Sequence, residues 1–131
     1  MQPRLQSESL NRHNSKIGTL GEDIAEHFLR SLYYTILSRN FHTHYGELDI
    51  IARDGKTLVF VEVKTRTGNT YGSPEDAITP KKLHDVIRAA EYYLLAHPLV
   101  KRNFRIDVVA ILLNHDTFTV QDLRHCKNVT M

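Results

Sequence analysis

The amino-acid sequence predicts a single α/β domain, in which a central mixed β-sheet is flanked by helices. Three observations lead to this fold class. The stretch 46–64, GELDIIARDGKTLVFVEVK, has the composition of two short strands around a turn. Apolar residues recur at helical intervals on both sides of that stretch. A near-continuous apolar run at 104–113, FRIDVVAILL, predicts a strand that is covered on both faces. The predicted order is therefore helix, strand, hairpin, helix, strand, strand, which suits one sheet with helices packed on it.

Length and composition limit the functions that the chain can have. Its 131 residues are enough for one domain with a core and too few for two ordinary domains. No apolar run reaches the ~18 residues that a membrane span needs. The single cysteine, Cys126, cannot form an internal disulfide, and the N-terminus lacks an apolar signal core, so we expect a cytoplasmic protein. A net charge of +2 permits nucleic-acid binding without requiring it.

The chain divides into three segments by pattern. Residues 1–15 are polar without a period and predict a flexible arm, residues 16–124 predict the α/β domain, and residues 125–131 predict a polar tail. Within the domain, the first helix begins near Ile17 and its apolar stripe continues to Leu32.

The second half of the domain carries clearer boundary signals. Thr79 is predicted to cap a helix whose first turn contains Pro80, and His97-Pro98 is predicted to end that helix. Asp107 interrupts the apolar run at 104–113. A buried carboxylate needs a partner, so we expect an arginine or a backbone donor beside it. A final strand is predicted at 117–123.

The central hairpin is predicted to turn at Asp54-Gly55, a dipeptide that tolerates positive φ. A two-residue turn there would pair Arg53 with Lys56 and would fix the register of both strands. Strand side chains alternate between faces, so one face would be apolar, formed by Leu48, Ile50, Val59, Val61 and Val63. The other face would carry the charged residues Glu47, Asp49, Glu62 and Lys64.

The acids on this face indicate a metal site. In the predicted register Glu62 lies across from Glu47 and diagonal to Asp49, and clustered carboxylates repel one another unless they share a cation. Two carboxylates and one backbone carbonyl suit Mg²⁺, which prefers oxygen ligands and keeps several waters. Lys64 projects from the same face and could orient or help deprotonate an attacking water. That combination is typical of phosphodiester hydrolysis.

Two other interpretations compete with a magnesium site. A Glu-Val-Lys sequence on a strand is most often a solvated edge, and in that case the acids have only a structural role. His42 and His44 would lie on one face of a strand, but a zinc site needs further ligands, and the lone cysteine is distant in sequence.

Several sequence fragments together resemble one known family. They are G-x-x-G-E-D-I-A, R-N-F, G-E-L-D-I-I-A-R-D-G, V-F-V-E-V-K-T-R, Y-G-S-P-E-D-A and R-I-D-V-V, and the resemblance runs over about 18–123. The pattern of Asp49 followed by Glu62-Val63-Lys64 after a hairpin is similar to the PD-(D/E)xK nuclease superfamily, which includes Holliday-junction resolvases. Within it, the chain resembles the YraN family of uncharacterised bacterial proteins. The proline of the superfamily's name is absent, since Leu48 precedes Asp49.

The resemblance implies a restriction-endonuclease-like core of order αβββαβ and assigns roles by position. Asp49 and Glu62 would bind Mg²⁺ or Mn²⁺ together with the Val63 carbonyl. Lys64 would position the attacking water, and Glu22 would hold a metal-bound water from the first helix.

The leading functional hypothesis is a metal-dependent endonuclease acting on DNA, including branched or processed intermediates. The alternative is a nucleic-acid-binding module of the same fold with little or no catalysis. In either case basic residues should rim the acidic face, and those nearest in sequence are Arg66, Lys81 and Lys82, around the predicted loop 65–79. A homodimer is compatible with the sequence, so a second copy of the chain is also a candidate partner.

Overall fold

The computed structural model describes residues 3–68, 78–98 and 103–130, with the backbone alone at 3–11, 13 and 14. In chain order the elements are α1 (Pro3–Ser31), β1 (Thr35–Thr43), β2 (Gly46–Asp54), β3 (Thr57–Thr67), α2 (Pro80–Ala96), β4 (Phe104–Leu113) and β5 (Val120–Cys126). The strands form one sheet in the order β1-β2-β3-β4-β5. Only β3 and β4 run parallel, and the other neighbours are antiparallel. The predicted fold class is therefore confirmed.

The two helices cover opposite faces of the sheet, and the alternation of side chains along β3 shows which face each covers. Val59 and Val61 are buried in a core cluster with Leu29 of α1. Phe60, between them, is buried in a second cluster with Ala90 of α2. The apolar stripes that predicted the helices thus serve two separate layers of core. No helix in the described part of the chain is both long enough and apolar enough to cross a membrane.

Both ends of α2 agree with the sequence signals. The Thr79 hydroxyl accepts a hydrogen bond from the Lys82 amide at 3.1 Å, and Pro80 occupies the first turn. At the other end, the His97 amide donates to the Tyr93 carbonyl at 3.0 Å, and Pro98 follows.

Helix α1 begins earlier than the sequence predicted. Its backbone is helical from Pro3, so the arm expected at 1–15 is continuous with the helix that was expected to start at Ile17. The prediction relied on an apolar stripe, which this segment lacks. The segment is nevertheless rich in the good helix formers Leu, Gln, Glu and Arg, and its one proline lies at the first helical position.

The C-terminal segment also differs from the prediction, because β5 extends to Cys126, into the expected tail 125–131. Beyond the strand, the Val129 amide donates to the carbonyl of Ile106 at 2.8 Å, and the Asn128 amide donates to Asp107 at 3.0 Å. These bonds attach residues 128–129 to β4.

Asp107 explains why that attachment forms. Its carboxylate is fully buried and accepts hydrogen bonds from Arg105 Nε at 3.0 Å and from the Asn128 amide, and it lies 2.8 Å from His125 Nε2. Burial by itself would raise the pKa of Asp107, but the bonds from His125, Asn128 and Arg105 outweigh it and hold the pKa below its usual 3.8. The expected arginine and backbone donor are both present.

The predicted register of the β2–β3 hairpin was wrong by two residues. Asp54 pairs with Thr57, so Gly55 and Lys56 form the turn in place of Asp54-Gly55. Gly55 has a φ of 59°, the sign that a type II′ turn requires at its first central position. Ile50 consequently pairs with Val61, where Val59 was expected.

The loop predicted at 65–79 starts later than expected, because β3 continues to Thr67. Residues 69–77, including the fragment Y-G-S-P-E-D-A, lie outside the described residues, so the expected contact of that loop with a substrate stays a prediction.

Candidate metal centre

The candidate site lies where β2 and β3 separate. The two strands pair only as far as Ile50 and Val61, although β2 begins at Gly46 and β3 continues along β4 to Thr67. At the point of separation, Asp49 Oδ2 accepts a hydrogen bond from the Val63 amide at 2.9 Å. The Asp49 carboxylate thus accepts the hydrogen bond that the Val63 amide would otherwise donate to the backbone of β2. The two strands diverge beyond this bond.

The regular alternation of β1 and β2 breaks at the same place. Asn40 has a φ of 54°, a left-handed conformation that asparagine tolerates better than most residues. Its neighbours Arg39 and Phe41 contact α1 and α2 respectively, although two strand residues that far apart normally share a face. Opposite them on β2, Ile50 packs in the α1 cluster and Leu48 in the α2 cluster.

This break corrects the predicted faces of the hairpin. Leu48 does not share the apolar face of Ile50, and Glu62 does not lie opposite Glu47. Glu47 and Asp49 instead face α1, where a carboxylate oxygen of Glu22 lies within 4.8 Å of one from each. Glu62 follows Phe60 on the α2 side, and Lys82 Nζ lies 3.6 Å from its Oε1.

Burial raises the pKa values of three of the acids, and a neighbouring carboxylate adds to each shift. Burial and the neighbouring charge of Asp49 raise the pKa of Glu62 from 4.5 to about 8, even though Lys82 opposes the shift. Burial and the charge of Glu47 raise the pKa of Asp49, while the hydrogen bonds from the Val63 amide and from Glu62 oppose the shift. Burial and the Asp49 charge raise the pKa of Glu22 against the opposing bond from Arg39. With Glu62 only 8 % exposed, the acids are not the solvated strand edge of the simpler interpretation.

A cavity of about 530 Å³ opens onto these acids. Glu22, Asp49, Glu62, Val63 and Lys64 all line it, so the structure brings together all five residues to which the resemblance assigned catalytic or metal-binding roles. Of the predicted basic rim, Lys82 lines the cavity as well. Arg66 and Lys81 are exposed and do not line it.

The donor set of this cavity fits a hard divalent cation. The donors are carboxylate oxygens, which Mg²⁺ and Mn²⁺ prefer. Burial, and after it a neighbouring carboxylate, raises the pKa values of Glu22, Asp49 and Glu62, so a cation would stabilise their ionised forms. Among the described residues, the one group of three or more His, Cys, Asp or Glu side chains close enough to share an ion is Glu22, Glu47 and Asp49, which contains no histidine. It therefore gives no support to zinc at His42 and His44.

The predicted ligand set and the observed cluster overlap only at Asp49. Glu62 is outside the group of three, and the contact observed for Val63 is through its amide and not its carbonyl. The assignment of Asp49, Glu62 and the Val63 carbonyl as ligands thus stays a prediction.

Comparison with known proteins places the chain in a family. A family model described as "Uncharacterised protein family UPF0102" matches residues 21–111. A UPF0102 protein of Clostridium acetobutylicum is 42 % identical over 119 residues, covering 91 % of this chain and 97 % of the relative. One of Geobacter sulfurreducens is 48 % identical over 103 residues, covering 79 % and 80 % respectively. The chain belongs to the UPF0102 family. This is the YraN family that the motifs predicted, while the wider nuclease superfamily stays a prediction.

In this UPF0102 chain, two residues support the acids in a way that sequence reasoning missed. The guanidinium of Arg39 lies 2.7 Å from Asp23, 3.4 Å from Glu22 and 3.5 Å from Glu26, and so ties β1 to α1. With its nitrogen turned toward the acids, the Asn40 amide donates to Glu47 Oε1 at 2.6 Å and Glu22 Oε1 at 2.9 Å. The fragment R-N-F contributes to the family resemblance, but no periodicity of the sequence signals its role.

Glu47 belongs to the observed cluster of acids, although the sequence predicted no metal-binding role for it. Its spacing of two from Asp49 correctly predicted a shared face. The sequence did not predict that this face meets Glu22 of α1, because that depends on the left-handed residue at Asn40.

Proposed function

We propose that this protein is a Mg²⁺- or Mn²⁺-dependent endonuclease that hydrolyses phosphodiester bonds in DNA. The observation that carries the proposal is the convergence of Glu22, Asp49, Glu62 and Lys64, from one helix and two strands, on a single cavity. Acids from separate elements that meet at one point, with pKa values raised by burial and by a neighbouring carboxylate, are typical of a functional site.

The chain's own residues would share the work of hydrolysis as follows. Glu22, Glu47, Asp49 and Glu62 are the residues that would hold the cation. A bound cation would supply Lewis acidity, which activates water and neutralises charge on the phosphate. Lys64 lines the cavity with an exposed side chain and has no ion-pair partner among the described residues, so its ammonium group is available to orient the attacking water.

Besides contacting DNA, Lys82 would stabilise the ionised form of an acid in the site. Its ammonium lies beside Glu62, so it favours the ionised carboxylate that a cation needs. The DNA contacts predicted for Arg66, Lys81 and Lys82 remain part of the proposal, because all three side chains are exposed near this end of the molecule.

The direct test is cleavage of a panel of DNA substrates, comprising single strands, duplexes, flaps and four-way junctions, with Mg²⁺, with Mn²⁺ and with EDTA. We expect cation-dependent cleavage that Asp49→Asn, Glu62→Gln and Lys64→Ala each abolish or reduce by orders of magnitude. Asp107→Asn is the matched control, since it changes a buried carboxylate outside the cavity. Failure to cut any substrate, combined with no Mn²⁺ binding by calorimetry, would refute the proposal.

A nucleic-acid-binding module without catalysis is the second candidate, and the Lys82–Glu62 ion pair favours it. An acid that already has a cationic partner needs a metal less than an unpaired one does. Lys64→Ala separates the two candidates. An enzyme should lose cleavage and keep DNA affinity within a few fold, whereas a binding module has no cleavage to lose.

A further inference from the structure

The turn between β1 and β2 and the outer side of α2 form a patch of rings that the proposed chemistry does not use. We define the aromatic patch as His44, Tyr45, Arg88 and Tyr92. Tyr45 and Tyr92 are 37 % and 41 % exposed, and His44 is exposed as well. The ring centroid of His44 lies 4.1 Å from that of Tyr45 and 5.9 Å from that of Tyr92. The side chains of the patch therefore contact one another while keeping ring surface open to solvent.

The patch is held in place from below and from the side. Phe41, partly buried in the α2 core cluster, has its ring centroid 6.5 Å from that of Tyr92. The turn that carries Tyr45 is fixed by the Thr43 hydroxyl, which donates to the Gly46 carbonyl at 2.7 Å and accepts from the Tyr45 amide at 3.1 Å. A surface that is already ordered loses little conformational entropy when it binds a partner.

The chemistry of the patch favours flat, electron-rich rings as ligands. The Arg88 guanidinium lies 5.3 Å from the centroid of the Tyr45 ring, so cationic and aromatic surfaces are presented together. Nucleobases stack on such surfaces with little dependence on sequence, because every base has a π-face. In a duplex the bases are already paired and stacked, so only unpaired bases can reach exposed rings on a protein surface.

The patch connects to the acidic cavity through both of its elements. The turn continues directly into Glu47, which faces Glu22 and Asp49. On α2, Lys82 lines the cavity, and Arg88 follows it by six residues, or about 9 Å along the helix axis and about 120° around it. A DNA strand that leaves the patch along either element would reach the acids.

We propose that the aromatic patch binds unpaired bases of a DNA strand whose backbone enters the acidic cavity. The inference deepens the proposed nuclease function and rests on it. It names the substrate class as DNA with a single-stranded segment next to the bond that is cut, as in flaps, gaps and branches, and it excludes uniform blunt duplex as the preferred substrate.

The test is fluorescence anisotropy with Ca²⁺, a cation that takes the same oxygen ligands, using three labelled probes of equal length. The probes are a single strand, a blunt duplex and a strand made of abasic sites, which keeps the phosphates and lacks the bases. We expect the single strand to bind more tightly than either of the others. Tyr45→Ala and Tyr92→Ala should each weaken its affinity roughly fivefold or more while leaving abasic binding unchanged.

Two sets of variants control for structural damage. Tyr45→Phe and Tyr92→Phe keep the rings and should retain the affinity of the wild type. Tyr33→Ala removes a tyrosine that is 92 % exposed and lies beyond the C-terminal end of α1, outside the patch, and it should have no effect. Equal affinity of the wild type for the single strand and the abasic strand would overturn the inference without any mutation. So would alanine variants that bind normally, or a loss in Tyr33→Ala of the same size.

The two proposals can fail separately. If the protein binds Mn²⁺ and cuts DNA but binds the single strand and the abasic strand equally well, the proposed role of the patch is refuted. The proposed nuclease function then stands. If Tyr92→Ala abolishes base-dependent binding, and the wild type cuts no substrate and binds no Mn²⁺, the proposed patch stands and the proposed nuclease function is refuted.

Discussion

Asn40 has two separable roles at the candidate metal centre. Its backbone adopts a φ of 54° in the middle of β1, which turns Arg39 toward α1 and Phe41 toward α2. Its side-chain amide bridges Glu22 and Glu47. A hydrogen-bond donor shared by two acids offsets part of their repulsion and fixes their carboxylates in orientation, as outer-shell partners of metal ligands do.

Substitution of Asn40 can separate these roles. Asn40→Gly keeps access to positive φ and loses only the amide, so we expect Mn²⁺ affinity to fall about tenfold or more while the free energy of unfolding changes by less than about 1 kcal/mol. Asn40→Ala loses both, and the left-handed conformation should add about 1 kcal/mol of destabilisation. Calorimetric titration with Mn²⁺ and urea unfolding measure the two quantities. Unchanged Mn²⁺ affinity in the glycine variant would show that the amide is not needed.

Gly21 is a second position where one atom decides the geometry of the site. A Cβ placed on Gly21 would overlap Thr65 Oγ1 and would lie 2.8 Å from Thr65 Cβ, so it would push α1 away from β3 beside Glu22 and Lys64. We expect Gly21→Ala to destabilise the protein by about 1–3 kcal/mol and to weaken Mn²⁺ binding, because Glu22 moves with the helix.

Gly18→Ala is the matched control on the same helix. A Cβ there meets nothing within 4 Å, so the better helix propensity of alanine should stabilise the protein by about 0.5–1 kcal/mol. Thermal unfolding of both variants measures the difference. Equal stability of the two would contradict the close approach of α1 and β3.

At the scale of the elements, β4 is held by a buried ionic network rather than by apolar contacts alone. Arg105 Nη2 donates to the Tyr34 hydroxyl at 2.6 Å and to Asp54 at 3.1 Å, while its Nε donates to Asp107. The network joins β4 to β2 and to the residue before β1. None of its residues lines the acidic cavity, although Asp107 pairs with Val61, the residue before Glu62. It therefore stabilises the fold without touching the candidate site.

This separation predicts how the control variant Asp107→Asn behaves. Replacing the carboxylate leaves Arg105 and His125 without their buried anionic partner, and we expect a loss of about 3 kcal/mol in the free energy of unfolding. Mn²⁺ affinity measured below the unfolding transition should stay at the wild-type value. A change in that affinity comparable to that of Asp49→Asn would mean that the ionic network and the candidate site are coupled.

The sequence predicted elements where the signal was local and failed where it depended on a neighbouring element. The caps of α2 and the bounds of β4 follow from a Thr-Pro start, a His-Pro stop and a continuous apolar run. The hairpin register failed because Gly55 can occupy either central position of a two-residue turn, and the choice shifts the pairing by two residues.

The candidate site shows the same limit. The motifs identified five residues that the structure brings to one cavity. They did not predict the meeting of Glu47 with Glu22 or the pairing of Lys82 with Glu62, since both contacts join residues across elements. The face change accompanies the left-handed conformation of Asn40, for which the pattern of apolar residues contains no signal.

On the scale of the whole molecule, the fold concentrates negative charge at one end of the sheet and offsets it only in part. A carboxylate whose pKa is raised by folding keeps its proton to a higher pH in the folded protein than in the unfolded chain. The folded state therefore loses stability as the pH rises through the range between the two pKa values. For Glu62 this pH range runs from the ordinary pKa of 4.5 up to about 8. In the cation-free protein its contribution to stability is thus fully present below the lower value and is lost as the pH rises through the upper one.

A bound cation should reverse this pH dependence, because it takes the place of the protons. We expect Mn²⁺ affinity to rise between pH 6 and pH 8. At a hundredfold excess over its dissociation constant the ion should add about 2–3 kcal/mol to the free energy of unfolding. Glu62→Gln cannot ionise, so this variant should be more stable than the wild type at pH 8 without metal and should gain less from Mn²⁺. Thermal unfolding across this pH range, with Mn²⁺ and with EDTA, measures both effects in one series. A wild-type protein whose stability does not depend on Mn²⁺ at pH 8 would show that Lys82, Arg39 and Asn40 already offset the charge of the acids, and that the cavity was not built to hold a metal ion.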